Sequence, residues 1–258
     1  MSEVETEVRE GIGWVTLNRP ERRNALSTPL LDQLHQTLEE QSRRPDVRLV
    51  VVQGAGGHFS VGADLEELAG VPFANGDRDV QIERLLRHST SSQLLREMPK
   101  ITVAAVDGAC AGAGMGLAMA ADFRVISDRA VFKSAFVSAG MSGDFGLAWT
   151  LSRLLGDGPA RSILLEDPRI EAERAMKLGI ASVLVPSAGF ATELTRFCQV
   201  KAALPSMAVA GIKANLADAI VPFGEALAAE SPRHIDGARS DEAAAAARAF
   251  VRARSTPG

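Results

Sequence analysis

His58-Phe59-Ser60-Val61-Gly62-Ala63-Asp64-Leu65 and Asp107-Gly108-Ala109-Cys110-Ala111-Gly112-Ala113-Gly114-Met115-Gly116 are two turns built on small residues. Each follows a short apolar run, Leu49 to Val52 for the first and Ile101 to Val106 for the second. Each precedes a segment with a helical pattern. A strand that turns on small residues into a helix leaves backbone N–H groups unpaired at the helix start. Two such turns facing one point can hold a developing oxyanion. Taken singly, each is equally an ordinary glycine-rich βα turn. Gly112, Gly114 and Gly116 are spaced G-x-G-x-G, and Leu117 stands where a dinucleotide fingerprint needs its third glycine, which argues against a Rossmann site.

Outward from these turns the pattern is of strands and helices in alternation. Val4 to Val8 and Ile12 to Leu17 alternate around Glu10-Gly11 and predict an opening hairpin. Thr28-Pro29 caps a helix running to about Gln41, with Leu30, Leu31, Leu34 and Leu38 apolar at helical spacing. Asp64 is placed to cap a short helix over 65–69. Gly70 to Asp79 mixes Pro, Gly, Asn and charge and reads as a loop, followed by an amphipathic helix over 80–97. Helix over 113–121, short strands over 123–126 and 130–132, and mostly helix from Leu147 onward complete the pattern, with one strand at 183–185. Strand–turn–helix units in the first half predict an α/β core. The Ala-rich stretch from Ala217 to Arg254 reads as a helical appendage, Ala243 to Ala247 included.

Composition narrows the classes of function. The 258 residues carry a net charge of −4 with both signs spread along the chain, so there is no nucleic-acid footprint. No apolar run approaches the ~20 residues that span a membrane, and the polar Met1-Ser2-Glu3-Val4-Glu5 does not read as a secretory signal. The expected compartment is the cytoplasm. Cys110 and Cys198 read as reduced core thiols. The four histidines are scattered and the cysteines lack ligand spacing, so no metal site is expected.

Asn18-Arg19-Pro20-Glu21-Arg22-Arg23-Asn24-Ala25-Leu26, the Gly-Ala-Asp turn, and the glycine-rich turn ending in Ala118-Met119-Ala120-Ala121-Asp122 together resemble the enoyl-CoA hydratase/isomerase (crotonase) family, in order and over nearly the whole chain. The resemblance implies a ββα spiral core over residues 1–200. It also implies a C-terminal helical region over 201–258 that packs between subunits, as trimers or as hexamers made of two trimers. It implies an acyl-CoA thioester as substrate, with no further cofactor, and places the thioester oxygen between the N–H groups of Ala63 and Ala113. Stabilising the enolate in this way makes a C2 proton removable, and one such donor is worth ~3 kcal/mol of barrier. The implied CoA contacts are Arg22, Arg23, Ala25, Ala63, Asp64 and Leu65, with Phe250 beside Arg252 or Arg254 on the last helix.

The reaction is less specified than the family. Hydratases of this family use two glutamates, and the matching positions here are Gly116 and Phe136. Neither can orient or deprotonate water. Asp144, in Gly140-Met141-Ser142-Gly143-Asp144-Phe145-Gly146, matches a position where several members carry a catalytic aspartate. In isomerases that aspartate moves a proton along the acyl chain, and in chlorobenzoyl-CoA dehalogenase it is a nucleophile. A carboxylate among Phe136, Met141 and Phe145 would have a raised pKa; alternatively Asp144 only caps the helix at Leu147. Phe136, Met141 and Gly116 are the expected pocket residues. Ser134, Ser138 and Ser142 read as lining, His88 as surface or lining, Asp122 as structural, and Glu67 as either pocket mouth or solvated face. Four functions stay open: isomerase-type proton transfer by Asp144, hydration by a non-standard site, displacement with Asp144 as nucleophile, and non-catalytic acyl-CoA binding.

Overall fold

The computed structural model describes residues 2–70 and 77–255, with side chains over 2–67 and 77–249. The opening hairpin forms as β1 (Val4–Arg9) and β2 (Ile12–Leu17), and β3 (Leu49–Gly54), β4 (Ile101–Val106), β6 (Phe123–Ser127) and β9 (Val183–Val185) extend it into a six-stranded sheet of order β1-β2-β3-β4-β6-β9. Only the β1–β2 pair is antiparallel. The parallel strands are apolar on both sides because both faces of the sheet are covered. Val50, Val52, Ala104 and Val106 face one core cluster, and Leu49, Val51, Val103 and Ala105 face the other.

The first cluster is closed by α1 (Thr28–Arg43), α3 (Arg78–Glu97) and α4 (Ala113–Ala120), and the second by α8 (Phe190–Ala202). A short helix α2 (Leu65–Gly70) follows the first turn. A second sheet, β5-β7-β8, joins β5 (Ala109–Ala111), β7 (Val131–Lys133) and β8 (Ile170–Glu171). Helix α7 (Ala172–Leu178) packs against it, while α5 (Leu147–Leu155) packs between α4 and α6 (Asp157–Glu166). The chain finishes with α9 (Ser206–Ala217), α10 (Phe223–Ala238) and α11 (Asp241–Ser255).

Several details depart from the sequence pattern. The cap of α1 is Ser27, whose hydroxyl accepts the Leu30 N–H at 3.2 Å, and Thr28 is the first helical residue. Helix α3 begins two residues early because Asp77 accepts the N–H groups of Asp79 and Val80; the rest of the expected loop, 71–76, lies outside the described residues. Strands β5 and β8 were not legible, being three and two residues long. The helical tail begins at Ser206, earlier than Ala217. Asp122 is structural as expected: it accepts the Thr102 N–H at 2.8 Å and the Lys213 ammonium at 2.6 Å, tying α9 to the sheet.

Candidate active site

Strands β3 and β4 are parallel neighbours, so the two glycine-rich turns leave the same edge of the sheet side by side. After β4, Gly108 adopts φ +70°; a Cβ there would fall 2.2 Å from Gly57 O, so only glycine lets the turns approach. The two stretches then run together as a short parallel ladder. Phe59 and Ser60 donate to Ala109 O at 3.0 and 3.1 Å, and Ala111 donates to Ser60 O at 2.9 Å. Downstream the contact becomes backbone on backbone. A Cβ on Gly62 (φ +90°) would lie 2.9 Å from Ala111 O and 3.4 Å from Gly112 Cα.

Ala63 and Ala113 are the next residues on each side. The Ala113 N–H is the first of α4 and has no intrahelical acceptor. Among the described residues, no acceptor is paired with the Ala63 N–H either. Two free donors therefore stand on adjacent backbones, one of them at the positive end of a helix dipole. The interior of α4 is fully buried and apolar, which holds that helix end in place.

Asp144 meets this arrangement through α4. Gly116 lies one turn beyond Ala113 on the same helix face, roughly 5 Å along the axis. A Cβ on Gly116 would fall 2.6 Å from Phe145 Cβ and 3.5 Å from Asp144 O. The backbone of Asp144-Phe145 thus rests directly on the glycine. The segment is bent for the purpose: Gly143, Phe145 and Gly146 have φ of +111°, +49° and +70°. A left-handed phenylalanine costs about 1–2 kcal/mol, offset here by burial of its ring in the first core cluster.

The Asp144 side chain does not cap α5. The residue before that helix is Gly146, and no side chain accepts from its first turn. Instead Asp144 Oδ1 is buried, with no hydrogen-bond partner among the described residues. Burial alone pushes its pKa up to about 6. The Phe136 ring packs against the same segment, 3.8 Å from the position a Cβ on Gly143 would take. Met141, expected in the pocket, is 39% exposed and stands at the rim of this segment.

The expected CoA contacts divide. Asp64 caps α2, accepting the N–H groups of Glu66 and Glu67, and also takes Arg19 Nη1 at 2.8 Å. Burial works against its charge, but Arg19 and the two N–H groups hold its pKa below the usual carboxylate range. Arg22 is committed to carboxylates, to Glu66 at 2.7 Å and Asp64 at 3.3 Å. Arg23 is exposed, and no ion pair holds it among the described residues. Ala25 is buried, its carbonyl accepting Arg19 Nη1 at 2.7 Å; Leu65 is 67% exposed. Phe250, Arg252 and Arg254 lie on α11 beyond the described side chains.

The remaining polar residues serve the scaffold. Glu67 accepts the Thr28 N–H at 2.9 Å and so caps α1 from outside. Ser134 is buried on Asp167 and Ile163 O, while Ser138 and Ser142 are exposed. His88, far from being a surface residue, is buried with Nε2 3.4 Å from Asp32 on α1, and burial lowers its pKa. Both cysteines are buried and free, and burial raises Cys198 to about 12. Among the described residues no cluster of His, Cys, Asp or Glu could hold a metal ion, and no helix is long and apolar enough to cross a membrane. The role of Gly116 as the seat of the Asp144–Phe145 turn was not legible in the sequence; the glycine inside a helical pattern was the available signal.

Paired glycine-rich turns at the carboxyl edge of a parallel sheet, with the Asp144–Phe145 turn resting on the helix that follows the second of them, make up the candidate site on this α/β fold. The sequence model of the enoyl-CoA hydratase/isomerase family matches residues 7–255, and the chain belongs to that family. The crystal structure of a putative enoyl-CoA hydratase/isomerase from Mycobacterium abscessus superposes with a TM-score of 0.90 at 31% identity, covering 98% of both chains. "Probable enoyl-CoA hydratase EchA14" of Mycobacterium tuberculosis is 37% identical over 174 residues, 67% of this chain and 66% of that protein. The "Trans-2-decenoyl-[acyl-carrier-protein] isomerase" of Streptococcus mutans is 33% identical over 174 residues, 67% of this chain and 65% of that protein. These matches span just under two thirds of the curated relatives' own length.

Proposed function

We propose that this chain binds an enoyl-CoA thioester between Ala63 and Ala113 and shifts its double bond by a proton transfer through Asp144. The observation that carries the reading is the seat of Asp144 on Gly116, one turn from the Ala113 N–H. In a 3-enoyl thioester, ionised Asp144 takes a proton from C2. The electron pair passes into the carbonyl, and the two N–H groups stabilise the oxygen of the resulting dienolate. Asp144 then returns the proton to C4, and the product is the 2-enoyl thioester. One base suffices for both steps, and a carboxyl with a pKa of about 6 suits such a base near neutral pH. The Streptococcus mutans isomerase among the relatives supports this choice of chemistry. Of Arg22 and Arg23, Arg23 is the cation left for CoA phosphate, since Arg22 is paired twice.

The test is proton exchange. In deuterated water the protein incorporates deuterium at C2 or C4 of a 3-enoyl-CoA, while crotonyl-CoA is hydrated at least ~10²-fold more slowly, because neither Gly116 nor Phe136 can activate water. Mass spectrometry reads both. Absence of incorporation over a panel of enoyl-CoA esters overturns the isomerase reading and favours an acyl-CoA-binding protein.

Assembly is part of the same proposal. Ile212, Leu216, Ile220, Phe223, Leu227 and Ile235 are exposed on α9, α10 and the turn between them, Phe223 at 81%. So large an apolar face marks a protein–protein contact, and we place the trimer interface there. Sedimentation at micromolar concentration gives a trimer or a hexamer; a monomer contradicts it.

A further inference from the structure

We propose that His58 is a positioning residue for the oxyanion pair: its neutral imidazole accepts the Ala109 N–H and fixes the first turn against the second. The proposal rests on the reading of Ala63 and Ala113 as carbonyl donors. His58 Nδ1 lies 3.1 Å from Ala109 N. The His58 carbonyl points elsewhere, accepting Asn24 Nδ2 at 2.8 Å. The ring is pressed against the second turn, with Nδ1 2.7 Å from where a Cβ on Gly108 would stand. Three backbone hydrogen bonds join 59–60 to 109–111 among the described residues, and the imidazole closes the upstream end of that ladder. Ala63 and Ala113 emerge from its downstream end.

An acceptor at Nδ1 requires the tautomer with its proton on Nε2. The surroundings favour the neutral ring. Burial comes first, then Arg23 from the segment before α1 and Arg129 from the β6–β7 turn, all lowering the pKa; Asp107, at the end of β4, opposes them. Asp107 is itself occupied by Ser127 and Arg129. Once Nδ1 is protonated, an N–H faces an N–H and the rung is lost. The two donors then lose their fixed spacing, and their hold on the carbonyl weakens as pH falls below the ordinary histidine range.

The experiment reads the carbonyl directly, in an Asp144→Asn background so that the other titrating group and turnover are both removed. The probe is crotonyl-CoA carrying carbon-13 at the thioester carbonyl, followed by infrared difference spectroscopy. With His58 present, the bound carbonyl stretch is lowered at pH 8 and moves back toward its free value as pH falls below the ordinary histidine range. His58→Asn, whose Oδ1 replaces Nδ1 without titrating, keeps the lowered stretch at both pH values. His58→Ala loses it at both. In addition, the Ala109 amide exchanges with deuterium about tenfold faster or more in His58→Ala than in His58→Asn, without any ligand. A lowered stretch that is independent of pH, or equal in His58→Ala, overturns the role of His58 and leaves the oxyanion reading standing. A stretch unchanged from free crotonyl-CoA in every protein at pH 8 overturns the oxyanion reading and this one with it.

Discussion

Asp144→Asn abolishes proton exchange and at the same time makes the protein more stable at pH 8. Exchange into deuterated solvent falls by ~10²-fold or more, since asparagine keeps the shape and loses the base. The wild-type rate rises with pH through about 6 and then levels, following ionisation of the carboxyl; the variant has no such limb. Stability moves the other way. The carboxyl has its pKa raised to about 6 from 3.8 by burial, with Oδ1 unpartnered, so the folded state holds the proton more tightly than the unfolded chain. Below pH 4 both states are protonated and nothing is lost. Between pH 4 and 6 the unfolded chain releases its proton first, and above that window the fold carries a cost on the order of 2–3 kcal/mol. Asparagine removes that cost, so thermal unfolding at pH 8 shifts up by several degrees, while at pH 4 the two proteins melt alike. Equal melting at pH 8 rejects the desolvated carboxylate, and unchanged exchange in the folded variant rejects its role as base.

Gly116→Glu, which restores the family's hydratase glutamate, creates no hydratase and weakens the fold. A Cβ at this position meets Phe145 Cβ at 2.6 Å and Phe145 O at 3.3 Å. Neither is the end of a flexible chain, so the whole Asp144 segment must move. Overpacking of this kind costs about 1–3 kcal/mol for the methyl group of Gly116→Ala. The glutamate adds the burial of a charge without a partner. Denaturant unfolding reads the loss, and crotonyl-CoA hydration stays at the background rate. Because Asp144 is displaced, proton exchange falls in both variants, more in Gly116→Glu. A stable Gly116→Glu protein that hydrates crotonyl-CoA shows that the contact with Phe145 is dispensable.

These two results express one trade. A glutamate at position 116 would need the room on α4 that the Asp144–Phe145 turn now fills. Gly116 and Asp144 are therefore alternatives in space, although they stand 28 positions apart in the sequence.

The order of strands, turns and helices was legible in the chain because its signals are local. β-Branched runs at Leu49 to Val52 and Ile101 to Val106, small residues after each, and leucines at helical spacing over 30–38 act within a few residues of themselves. The family motifs were legible for the same reason, being contiguous. Side-chain partnerships across the fold were not. Arg22 reads as a free cation until Asp64 and Glu66 are brought beside it. His88 reads as surface or lining until the fold buries it beside Asp32 of α1. Asp144 reads as a base or as a helix cap; the tertiary structure removes the cap, since the residue before α5 is Gly146, and seats the Asp144–Phe145 turn on Gly116 with Oδ1 buried and unpaired among the described residues. The sequence by itself determined which groups are present and in what local conformation. Burial and distance decided which of them carry a perturbed charge, since desolvation and pairing arise from residues that share no neighbourhood along the chain.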